Sequence, residues 1–224
     1  MAEPREDNFV ATIVSSAHGA GLRALSSGKG MAEWLIDNVP RIPVRDLDTL
    51  RSHHEGREGA ALAGELITTA SRMSAAVGAA SGALMSAEEL APPAWLALPL
   101  ELAVETLAVA AIELKLLAEL HEVFGHPVEG SLSDRSIALV RAWAERRGVT
   151  PSSVARPGGV GDALGRGARN EVVRLVRRRL LGRLGRNLSS LAPMLAGAAA
   201  GAEVNRRATR GLGEAVVRDL AARN

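Results

Sequence analysis

An apolar run near the middle of the chain, Ala94 to Gly125, reads AWLALPLELAVETLAVAAIELKLLAELHEVFG and carries Glu101, Glu105, Glu113 and Glu119. At helical spacing Glu101 and Glu105 share one face, and Glu113 lies close to it. Such a stripe could serve a di-metal carboxylate centre, but that chemistry also needs Glu-x-x-His pairs projecting from facing helices. None is present: His121 and Glu122 are adjacent, and Glu119 stands two residues before His121. The spacing therefore predicts a buried helix whose acidic stripe meets solvent or a basic helix. One arrangement would reverse that reading and mark an enzyme: a closed pocket lined by Glu101, Glu105 and a histidine.

Other chemistry-bearing stretches fail on spacing. In His121-Glu122-Val123-Phe124-Gly125-His126 the histidines are five apart, whereas a zincin needs them four apart on one helical face. Gly125 is expected to end the helix before the second histidine, with Pro127 beyond it. His53 and His54 sit among carboxylates in a polar stretch, Val44 to Gly59, but neighbouring side chains on a helix point apart and chelate poorly. That stretch is expected to be a solvated connector. Ser26-Ser27-Gly28-Lys29-Gly30 lacks the hydroxyl residue after the lysine and the preceding strand of a phosphate loop. Gly159-Val160-Gly161 with Gly165 is one residue off the dinucleotide fingerprint. There is no cysteine, which excludes disulfides, thiol catalysis and Cys-ligated metal. No motif points to a cofactor or a metal.

The elements that would have to position any chemistry are helices. Of 224 residues 47% are apolar but only 2% aromatic, with no Tyr, so Ala, Leu and Val must fill the core. Sheets favour β-branched and aromatic residues, and this composition favours close-packed helices instead. The expected fold is an all-α bundle of roughly six to eight helices. A single domain is expected over 1–224, with a less regular N-terminal part, 1–59, and a helical core, 60–224. Helices are expected from Asn8 onward, around Met31–Val39, from Ala60 to Met85, from Pro92 to Gly125, after a Ser133 cap, and through the closing LGEAVVRDLAARN. The segment after Ser133 offers Ile137, Val140, Trp143 and Ala144 as its dry side.

Two small-xxx-small elements, Gly78 to Gly82 and Gly197 to Gly201, would let helix backbones approach closely, within one chain or between two copies. Ahead of the second lies NEVVRLVRRRLLGRLGRN. There Val172, Val176, Leu180, Leu184 and Leu188 recur at i+4. Arg174, Arg178, Arg179 and Arg186 fall on the other side, with Arg177 and Arg183 at the edges. A helix of this kind suits an anionic membrane surface or an acidic partner. The uncharged run Leu188 to Ala202 is too short to span a bilayer, which takes about 20 residues. The charge is also divided: residues 1–134 hold 9 basic and 19 acidic residues, net −10, while 135–224 hold 18 and 6, net +12.

Three blocks carry a resemblance: EGREGAALAGELITTASRMSAAVGAASGALM, ELHEVFGHP, and LAPMLAGAAAGAEVNRRATRGLGEAVVRDL. In this order they resemble the EcsC family of bacterial proteins over about residues 55–220. Pro193, Gly197, Gly201, Asn205 and Arg210 stand at the matching positions of the closing block. The resemblance implies a helical, membrane-associated accessory protein and brings no active site with it.

Taken with the charge split, it predicts a non-enzymatic protein that binds an anionic lipid surface or a membrane protein. The contact residues would be Arg174, Arg177, Arg178, Arg179, Arg183, Arg186, Arg206, Arg207 and Arg210. Close helix packing would rest on Gly78, Gly82, Pro193, Gly197, Gly201 and Asn205. The acidic N-terminus, MAEPREDNFV, has no long apolar stretch, so a cytoplasmic protein, peripheral at the inner membrane face, is expected. Nucleic-acid binding by the basic half is the alternative, although aromatic stacking platforms are scarce.

Overall fold

The structure, a computed structural model, describes residues 6–25, 28–88, 98–146 and 195–223. Among the described residues every regular element is helical: α1 (Glu6–Leu25), α2 (Gly28–Asn38), a 3₁₀ turn (Val39–Arg41), α3 (Leu47–His53), α4 (Gly59–Glu88), α5 (Leu98–Val123), α6 (Leu132–Arg146) and α7 (Leu195–Ala221). The all-α bundle follows from the composition.

The axis of the bundle is α5. Every residue from 102 to 120 is buried, as expected of a helix that is apolar on all sides. Its cover comes from α1, α4, α7 and α6, with smaller contributions from α2 and α3. The covering helices bury one stripe each. Phe9, Ile13 and Ala17 of α1 follow at i+4, and Asn205, Thr209, Leu212, Val216 and Leu220 do the same work on α7. The most extensive helix pair is α4 with α7. Their meeting points, Gly78 with Gly201, Ser74 with Thr209 and Ile67 with Gly213, run in opposite order along the two helices. The pair is therefore antiparallel.

Several local expectations change. The polar stretch 44–59 is not all connector: α3 lies within it, because the Asp46 side chain accepts from the Thr49 N–H at 2.8 Å and caps the helix. The part before residue 59 therefore holds three helices. Within α1 the backbone breaks at Gly21 (φ 75°, ψ 167°), where only glycine is unstrained. The cap of α6 is Ser131 rather than Ser133. Asp134 lies three residues after Ser131, and its carboxylate reaches back to the Ser131 N–H (3.3 Å) while Ser131 Oγ faces the Asp134 N–H (3.3 Å), a reciprocal box that Ser133 cannot make. On α6 Leu139 joins Val140, Trp143 and Ala144 in the core, and Ile137 is only half-buried. The closing helix is not separate: α7 runs without a break from Leu195 through Gly211 and Gly213. Gly213 is needed for contact rather than for a turn, since a Cβ there would stand 2.6 Å from Ile67 Cγ1.

Candidate functional site

The buried acids of α5 mark the polar interior. Glu105 accepts from Asn205 Nδ2 of α7 at 2.9 Å. Glu113, fully buried, accepts from Trp143 Nε1 of α6 at 2.8 Å. Its second oxygen lies 3.0 Å from Thr209 Oγ1, which is also 2.9 Å from Ser74 Oγ of α4. With its one hydrogen given to the carboxylate, Thr209 accepts from Ser74. The stripe thus meets the C-terminal helix, but through neutral Asn and Thr side chains rather than through arginines. Glu119 is different. It takes Arg45 Nε at 2.8 Å and Nη2 at 3.0 Å, and it pairs with Lys115, which also donates to the Pro43 carbonyl at 2.8 Å.

The two small-residue elements meet at Gly78 and Gly201. A Cβ on Gly78 would stand 2.8 Å from the Gly201 carbonyl oxygen and 2.5 Å from Asn205 Nδ2. A Cβ on Gly201 would stand 3.2 Å from the Gly78 oxygen. Close approach here is what lets Asn205 reach Glu105. Gly82 lies on α4 and Gly197 on α7, while Pro193 lies outside the described residues.

Beside this crossing, α1, α4 and α5 leave a cavity of about 420 Å³. Its walls are mostly apolar, with Val10, Val14, Met73, Val77 and Val104, and its polar groups are His18, Ser81, Glu101 and Glu105. His18 Nδ1 is 3.0 Å from the Val14 carbonyl oxygen and Nε2 is 3.0 Å from Glu101 Oε1. The hydrogen bond to Glu101 raises the imidazole pKa above its ordinary value, against a smaller opposing effect of burial. Glu101, Glu105 and a histidine therefore do share one cavity. Both ring nitrogens face acceptors, the Val14 carbonyl and the Glu101 carboxylate, so the imidazole is engaged within the protein on both sides in this arrangement. Ser81 Oγ, 8% exposed, has no hydrogen-bond partner.

The HEVFGH segment is a helix end. Gly125 (φ 73°) donates to the Glu122 carbonyl and His126 N to the His121 carbonyl, the paired bonds of a Schellman stop. His121 Nδ1 is engaged with the Leu117 carbonyl at 2.8 Å, and burial holds its pKa below the ordinary value. Burial also raises that of Glu122. Among the described residues no group of three His, Asp or Glu is placed to hold a metal ion.

Of the arginines singled out by sequence, Arg174, Arg177, Arg178, Arg179, Arg183 and Arg186 lie outside the described residues. Arg206, Arg207 and Arg210 are on α7. Arg206 and Arg207 both hold Glu203, which draws its carboxyl pKa down to about 2. Arg207 and Arg210 face solvent, as do Arg218 and the apolar Val204. Sequence reasoning missed His18, which stands 83 residues from Glu101. No protein-family model, curated protein or solved structure matches the chain.

Proposed function

We propose that the protein is a non-enzymatic, EcsC-like accessory protein that binds the anionic surface of a membrane through its basic C-terminal half. The observation that carries this reading is the division of charge, −10 over residues 1–134 and +12 over residues 135–224. On α7, Arg207, Arg210 and Arg218 occupy the solvent side while the apolar stripe is spent on the core. Val204, 60% exposed, stands among those arginines, and such a mixture suits a headgroup region. A peripheral contact is supported by the burial of residues 102–120 of α5 and by the fact that no helix of the described residues is long and apolar enough to cross a membrane.

The test is co-sedimentation of the full chain with phosphatidylglycerol vesicles and with phosphatidylcholine vesicles, at low and high salt. Binding to the anionic vesicles only, weakened by salt, is the expected result. Substituting Arg177, Arg178 and Arg179 by Ser should reduce it further, since each basic residue near such a surface contributes about 1 kcal/mol. Binding unchanged by salt, or a gel shift with nucleic acid in place of vesicle binding, would overturn the proposal.

A further inference from the structure

We infer that the cavity between α1, α4 and α5 is a binding site for a small apolar amine, whose body lies on the valine and methionine walls and whose ammonium group meets the carboxylates of Glu101 and Glu105. The space, about 420 Å³, falls within the range of small-molecule sites, about 300–1,000 Å³. The recess beside Glu119, near the other end of α5, holds only about 20 Å³.

The walls select the head group. Among the described residues two carboxylates and one imidazole line the cavity, and no lysine or arginine does. An ammonium head offers three donors to acceptors already in place. A carboxylic acid would be set against two like charges, and an alcohol would leave the carboxylates unused. The Glu101 carboxylate is already oriented, because His18 fixes it from the α1 side at 3.0 Å.

Titration calorimetry of the full chain with n-octylamine, n-octanol and octanoate, each below its micelle concentration, tests the site. Octylamine should bind, octanol about tenfold more weakly, as expected for loss of a charge-assisted bond, and octanoate not at all. Ala76→Leu places bulk in the α4 wall and should abolish octylamine binding without lowering the melting temperature. Ala11→Leu, which fills from the α1 wall, serves the same purpose if the first variant does not fold. Glu101→Gln should narrow the preference for amine over alcohol. Octanoate binding as well as octylamine, no heat with octylamine, or wild-type octylamine binding by a folded cavity-filling variant would each overturn the assignment.

Discussion

The two ends of α5 treat their buried acids in opposite ways. Toward the C-terminal end, Glu119 is held by Arg45 and Lys115, the recess beside it has room for about one water, and His121 is engaged within its own helix. Toward the N-terminal end, Glu105 has a neutral amide as its partner, Glu101 has the half-exposed His18, and a cavity opens between the helices. A buried carboxylate surrounded by cations and closed packing has a structural role. One met by neutral donors beside open space is available to a ligand. The same helix is thus a sealed joint at one end and a lined cavity at the other.

The sharpest way to break this contrast is at the sealed end. Arg45→Ala should cost about 3 kcal/mol in urea unfolding, because it removes the bidentate partner of a buried carboxylate. A loss below 1 kcal/mol would mean that the joint is not load-sharing as described. Next in size is the crossing that supports the open end. Gly78→Ala should destabilise by about 1–3 kcal/mol, since its Cβ meets the Gly201 backbone. Gly64→Ala, on the same helix but with open space around it, should stabilise by up to about 1 kcal/mol. Equal effects at the two glycines would remove close approach as the explanation.

The smallest effects concern pH, and here the two ends should differ in sign. His18 titrates above the ordinary 6.5 because Glu101 accepts its proton. Its contribution is fully present below 6.5 and is lost as pH rises through the folded value. His121 is held below 6.5 by burial, so its contribution is present above 6.5 and is lost as pH falls through its folded value. NMR titration of the two rings should give midpoints on opposite sides of 6.5, and Glu101→Gln should move only the His18 midpoint downward. The stability carried by His18 is modest, because its side chain is 40% exposed.

Much of the fold was legible because composition and period act locally. An Ala, Leu and Val core with few aromatics predicts helices, and the all-round apolar character of α5 predicts its burial. Gly125 announced the stop of that helix. What was not legible depends on which helix lies opposite. Periodicity places Glu105 and Glu113 on one stripe but does not say that Asn205, Thr209 and Trp143 would answer them in place of arginines. It gives no sign that His18 would return to Glu101. The short α3 is too brief to show a period, although its Asp46 cap was readable. Ser131 with Asp134 was equally readable, and the neighbouring Ser133 drew attention from it. The six arginines of the 174–186 stretch lie outside the described residues, so their part in the proposed membrane contact rests on spacing and charge.

The contrast between the two ends of α5 is tested most directly by comparing two isosteric substitutions, Glu119→Gln and Glu105→Gln, in equilibrium urea unfolding. Glu119→Gln strands two cations, Arg45 and Lys115, against a neutral amide and should cost about 3–5 kcal/mol. Glu105→Gln keeps an oxygen for Asn205 and should cost about 1 kcal/mol or less. Equal losses at the two positions, or a larger loss at Glu105, would contradict the account.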